Sequence, residues 1–131
     1  MKYLLDANAV IGLIRLDKRL VSQVNRQRQG DFATSSIVLH ELYFGALKSQ
    51  RLADNLRTLS DIDLAMLDFD GRDAEVAAEV RIKLDARGTP IGPYDLLIAG
   101  QTLSRDLILI TRNTREFARV EGLRVENWQD A

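Results

Sequence analysis

Leu107-Ile108-Leu109-Ile110-Thr111-Arg112-Asn113 is the stretch from which the fold is read. Four apolar residues in succession, without polar alternation, suit a strand covered on both faces, as in a parallel sheet between helices. Working outward, residues 2–5, 32–34, 64–68 and 123–125 read as further short strands. Helical patterns fill the intervals at 9–16, 18–28, 52–59 and 73–87. Another runs from a Ser35 or Ser36 cap through Leu39, Leu42 and Leu47, and another from Pro93 to about Ser104. Strands alternating with helices predict an α/β/α sandwich with a mostly parallel central sheet, in one domain spanning 1–131.

Composition narrows the chemistry. The 131 residues hold 46% hydrophobic positions, enough for one core, and no apolar run long enough for a membrane span. The segment before Asp6 is too short for an export signal, so a cytoplasmic setting is expected. The 18 basic and 19 acidic residues give a net charge of -1, which excludes polyanion binding by bulk charge but not by a local patch. No cysteine is present, which excludes a disulfide framework, a thiolate site and a cysteine nucleophile. A single histidine, His40, excludes a His-rich zinc site. Carboxylates, amides, hydroxyls and arginines remain.

In open α/β sheets ligands bind beyond the carboxyl ends of the strands. Asp6 and the Thr111–Asn113 turn both follow strands and belong at that edge. Asp6 alone also reads as a helix cap. Glu41 is more telling, with Ile37, Val38, Phe44 and Gly45 at helical offsets, and Asp95 repeats the pattern with Ile91, Gly92, Ile98 and Ala99. Both acids are expected to project from a core-facing side. Asp54, with Gln50, Arg51, Arg57 and Thr58 at the same offsets, has a solvated face. A charge on an apolar face must be paired or bind a cation. Pairing with arginine is the plainer reading. Convergence of three acids suits a hard ion, Mg²⁺ or Mn²⁺. Such an ion activates water for in-line attack on phosphorus, leaving a 5′-phosphate and a 3′-hydroxyl.

Arg112 and Arg115 flank the expected edge and are candidate phosphate contacts, among a late basic group that includes Arg105, Arg119 and Arg124. The earlier group Arg15, Lys18, Arg19, Arg26 and Arg28 reads as an exposed face. His40 lies about 100° around the helix from Glu41, which places it outside the pocket in a structural role. Trp128 is expected to pack down the chain end.

Four segments carry a resemblance: Leu4-Leu5-Asp6-Ala7-Asn8, His40-Glu41-Leu42-Tyr43-Phe44-Gly45-Ala46, Gly92-Pro93-Tyr94-Asp95-Leu96-Leu97-Ile98-Ala99 and Ile110-Thr111-Arg112-Asn113-Thr114-Arg115-Glu116-Phe117. In this order they resemble a PIN domain, and their separations resemble the VapC toxins of bacterial VapBC toxin–antitoxin pairs. The resemblance implies a PIN-like fold and an Mg²⁺-dependent endoribonuclease. It implies that Asp6 and Asp95 are the principal metal-binding acids, with Glu41 the third, directly or through water. Many PIN domains carry an aspartate where this chain has Asn113; Glu116, three residues on, is the candidate replacement. Ala7 replaces a small hydroxyl residue, while Asn8 is kept and is expected to orient Asp6.

The resemblance further implies a homodimer, a VapB-like antitoxin that inhibits the enzyme, and operator DNA bound only through that antitoxin. Its implied substrate is structured RNA, and the Gly-Pro-Tyr-Asp and Asn-Thr-Arg-Glu-Phe segments resemble enteric toxins that cut initiator tRNA. The alternative is a catalytically weak PIN-fold binding or regulatory module, for which Asn113 speaks. Phosphoaspartate chemistry fits poorly. Dehalogenase-like phosphatases need a second aspartate where Asn8 stands, and receiver domains need a late lysine that Lys2, Lys18, Lys48 and Lys83 do not supply.

Overall fold

A computed structural model describes residues 1–49, 52–61 and 64–129. Five strands, β1 (Tyr3–Leu5), β2 (Phe32–Ser35), β3 (Ala65–Leu67), β4 (Ile108–Ile110) and β5 (Arg124–Glu126), form one sheet in the order β3-β2-β1-β4-β5. Every pairing is parallel, so the expected mostly parallel sheet is parallel throughout. The helices are α1 (Ala7–Ile14), α2 (Lys18–Asn25), α3 (Ser36–Lys48), α4 (Leu52–Asp61), α5 (Gly71–Arg87), α6 (Pro93–Ser104) and α7 (Thr114–Phe117). The short α7 has no counterpart in the sequence reading, because one helical turn leaves no periodicity to detect.

The apolar run behaves as its composition dictates. Ile108, Leu109 and Ile110 are all buried, and Leu4 and Leu5 of the neighbouring β1 are fully so. Val10, Val38, Ile98 and Phe117 close the core around them. Trp128 is buried against Tyr3 and Phe32, which ties the described end of the chain to the sheet, as expected. The early basic residues Arg15, Lys18, Arg19, Arg26 and Arg28 are exposed, also as expected.

Local chemistry sets the helix starts. Ser35 caps α3 by accepting from the Ile37 amide, and Asp70 and Asp73 form a reciprocal capping box at α5. Pro93 opens α6 behind Gly92. Gly88 ends α5 in the left-handed region at φ 70°, where a side chain would be strained.

Asp73, fully buried, is the acid the sequence reading passed over. Arg105, Ser104 and the Asp70 amide all donate to it or to its partner oxygens around the box. Burial pushes its carboxyl up, but these donors outweigh burial and hold it below the usual carboxylate range. This arginine-neutralised acid fastens α5 to the end of α6. It also engages Arg105 structurally, as Asp106 does Arg124 and the Pro90 carbonyl does Arg119. Arg112 and Arg115 stand exposed beside the sheet edge described next.

Candidate active site

Chain order puts the site where parallel sheets place ligands. From β1 the chain winds outward to β2 and β3, then returns to β4 on the other side of β1. The carboxyl ends of β1 and β4 therefore bound the crevice at a topological switch. Asp6 follows β1 and Thr111 follows β4, and the Asp6 amide donates to the Ile110 carbonyl at 3.0 Å.

Asp6 is 5% exposed. Its Oδ1 accepts from the Ala7 amide at 2.8 Å, so the capping reading of this residue is correct. Its Oδ2 accepts from the Thr111 hydroxyl at 2.9 Å. Capping does not exclude coordination, since an ionised carboxylate has about four acceptor positions. Asn8 acts on Asp6 at one remove. Its amide donates to Thr111 Oγ1 at 3.1 Å, and its Oδ1 accepts from the Arg112 amide at 3.0 Å.

Glu41 comes from α3 and Asp95 from the first turn of α6. The helical offsets locate Glu41 only in part, because Val38 is buried while Phe44 is 58% exposed. Glu41 sits at the border of the core, with Oε1 buried and lacking a hydrogen-bond donor among the described residues. Glu116, on α7, lies in the same cluster. Its Oε1 accepts from the Gly92 amide at 2.8 Å and its Oε2 from Asn113 Nδ2 at 2.6 Å. A Cβ added to Gly92 would lie 3.7 Å from both an Asp95 oxygen and a Glu116 oxygen. The fold thus brings Asp6, Glu41, Asp95, Asn113 and Glu116 together.

The electrostatics separate this cluster from a salt-bridge network. None of Asp6, Glu41, Asp95 and Glu116 forms an ion pair with a described lysine or arginine. Burial raises the Asp6 carboxyl above its ordinary value, against the opposing Ala7 and Thr111 bonds. Burial and the Asp6 charge raise Glu41, and His40 partly offsets them. Asp95 is pushed up to about 7 by burial, by a hydrogen bond with Glu116, and by the charges of Asp6, Glu116 and Glu41. Glu116 moves the other way, held down first by the Gly92 amide. Asp95 and Glu116 thus titrate as an interacting pair, Asp95 displaced upward and Glu116 downward.

This has a consequence for stability without a divalent cation. A folded-state pKa raised from 3.8 to about 7 means the native chain holds a proton that the unfolded chain has lost. The stabilisation is complete below the unfolded value and disappears as pH rises through about 7. Chelated protein is expected to melt at a lower temperature at about pH 8 than at about pH 5, and Asp95→Asn to flatten that difference. Thermal melts in chelator across this range check it; an unchanged slope in the variant would refute the assignment.

The donor set fits a hard divalent cation. All its donors are oxygens, buried Asp6 lacks a cationic partner among the described residues, and the orphaned Glu41 Oε1 is the kind of atom a cation satisfies. Among the described residues no three acids already stand in chelating geometry.

His40 is exposed, and its ring meets Tyr94 with centroids 5.5 Å apart. The helical rotation does carry it out of the pocket, but onto the rim, where its charge acts on Glu41. The signal available in the sequence was adjacency, since His40 precedes Glu41 and Tyr94 precedes Asp95.

The family model for the PIN domain matches residues 3–123. A protein of Shigella flexneri named tRNA(fMet)-specific endonuclease VapC is 42% identical over 132 residues, covering 98% of each chain. Ribonuclease VapC2 of Haemophilus influenzae is 39% identical over 131 residues with the same coverage. The crystal structure of DNA-bound VapBC from Salmonella typhimurium superposes with a TM-score of 0.91 at 37% identity over 98% of each chain. VapBC2 from Rickettsia felis, bound to a promoter fragment, gives a TM-score of 0.89 at 31% identity, over 98% of this chain and 99% of that one. Fold and sequence agree over nearly all of the chain, and this chain belongs to the PIN-domain family as one of its VapC ribonucleases.

Proposed function

We propose that this protein is the divalent-cation-dependent endoribonuclease toxin of a VapBC-type pair, hydrolysing phosphodiester bonds in structured RNA. The observation that carries the reading is the cluster of Asp6, Glu41, Asp95 and Glu116 at the switch point, with no ion pair to a described lysine or arginine and with a buried carboxylate oxygen unsatisfied. It contrasts with Asp73, which has its arginine and no catalytic setting.

Asp6, Asp95 and Glu41 would hold the cation, Mg²⁺ or Mn²⁺ by their oxygen chemistry. When bound, it supplies Lewis-acid activation of water and charge neutralisation at the departing oxygen. Asp6 is aimed by Thr111, which Asn8 holds in turn, so the turn after β4 fixes the acid at the end of β1. Glu116 is anchored by the Gly92 amide and Asn113, and stands beside Asp95 where a fourth acid is required. Asn113 is neutral, but it orients that acid, which favours activity over the alternative of a silent binding module. Arg112 and Arg115, both exposed beside the turn, take RNA phosphates.

The relatives indicate what surrounds this chemistry. Proteins named for tRNA(fMet) cleavage in Shigella flexneri and Salmonella typhimurium make initiator tRNA the first substrate to test. VapBC complexes on DNA make a VapB-like antitoxin the inhibitor, with operator DNA reached through it. A homodimer of single-domain chains in the cytoplasm completes the proposal. No helix among the described residues is long and apolar enough to cross a membrane.

The test is brief expression followed by mapping of new 5′-phosphate RNA ends, then cleavage of the purified target with and without chelator. New ends with a cation requirement support the reading; cleavage that ignores chelator, or no new ends, overturns it. Cation is also expected to raise the melting temperature, by about 2.7 kcal/mol of stability at a hundred times its Kd. Equal melting temperatures in EDTA and in saturating Mg²⁺ or Mn²⁺ would rule out a site at these acids.

A further inference from the structure

Two aromatic rings stand beside the acids and have no part in the hydrolysis just described. His40 immediately precedes Glu41 on α3, and Tyr94 immediately precedes Asp95 on α6. Their centroids lie 5.5 Å apart with the planes inclined at 48°. This tilt is neither a face-to-face stack nor a T-shaped contact, and both side chains stay exposed. His40 is exposed and Tyr94 is 48% exposed, while Glu41 and Asp95 beside them are partly buried. The rings thus form the outer rim of the acid cluster where α3 meets α6.

A phosphodiester held at Asp95 and Glu41 carries a nucleoside on each side, and the rings belong to the residues that immediately precede these two acids. Arg112 and Arg115 stand at the turn after β4 and on α7. Sites for single-stranded RNA combine these two elements, cationic side chains along the backbone and aromatic side chains under unstacked bases. Histidine and tyrosine both serve as stacking surfaces.

We propose that His40 and Tyr94 form a platform on which an unpaired RNA base next to the scissile phosphate stacks, so that the pair selects a looped-out strand over a paired one. The inference rests on the ribonuclease reading and deepens it. The two rings are positioning residues. They place the strand and leave the hydrolytic chemistry to the acids, so their loss weakens RNA binding more than turnover.

The probe is an anticodon-type RNA stem-loop with 2-aminopurine in its loop, mixed with the Asp6→Asn chain so that binding is read without cleavage. Stacking on the platform quenches the fluorophore. His40→Ala and Tyr94→Ala are each expected to reduce the quenching. In the active protein each is expected to raise KM by about tenfold, with kcat within about twofold, in line with the loss of one stacked base. Tyr94→Trp is expected to restore both readouts, which a merely structural role would not do. Unchanged quenching and KM in both alanine variants overturn the proposal, as does failure of Tyr94→Trp to restore a loss. Changed oligomeric mass in the variants with unaltered quenching also overturns it, and assigns the rings to a protein contact. If wild-type protein fails to cut RNA with cation present, the ribonuclease reading itself falls. If it cuts and the variants match its KM, the platform alone falls.

Discussion

Asp6→Asn is expected to reduce RNA cleavage by at least about a hundredfold while leaving the fold intact. Removing residues that merely support metal ligands already costs about 10- to 100-fold in family-independent experience, so removing a charged ligand costs no less. The melting temperature is expected to stay level or rise. Asparagine is as good a helix cap as aspartate, so the start of α1 keeps its bond. The variant also removes one negative charge from a site where Asp6 raises both Glu41 and Asp95. Rates on purified RNA, read beside thermal melts, check both halves. Wild-type activity would remove Asp6 from the machinery, and a collapsed fold would show that its role is architectural. Asp73→Asn supplies the contrast: it is expected to lower stability without altering the specific activity of the folded protein, since that acid faces Arg105 and not the cluster.

Gly100→Ala is expected to cost about 1–3 kcal/mol of stability. A Cβ at Gly100 would stand 2.6 Å from the Ala77 Cα and 2.7 Å from its backbone nitrogen. Backbone cannot rotate aside as a side chain can, so α5 and α6 must separate. The strain reaches the site because α6 also carries Asp95 in its first turn. Urea melts should show a lower midpoint at an unchanged slope, with activity falling beyond the loss of folded protein. An unaltered midpoint would mean that the two helices do not pack this closely.

Much of the architecture was legible from residues alone. The apolar Leu107–Ile110 run announced a doubly covered strand, and the parallel sheet followed. Pro93 and Ser35 announced helix starts that hold. The boundaries shifted by a few residues, as with α1, which begins at Ala7 because Asp6 caps it. The helical offsets of Glu41 suggested a core-facing acid, yet the Phe44 side of its helix is exposed. Periodicity reports which residues share a face, and not which element arrives to cover it.

The sequence by itself determined the fold class and the family, and nominated Asp6, Glu41 and Asp95, because strand pattern, cap chemistry and ordered motifs are local properties of the chain. Only the tertiary structure decided which acids are neutralised. Asp73 meets Arg105 across two helices, whereas Asp6, Glu41, Asp95 and Glu116 meet one another. It likewise decided that Glu116 stands where Asn113 left a charge missing, and that His40 reaches Tyr94. Ion pairing, desolvation and ring contact depend on distances between segments far apart in the chain, and those distances exist only once the core has closed.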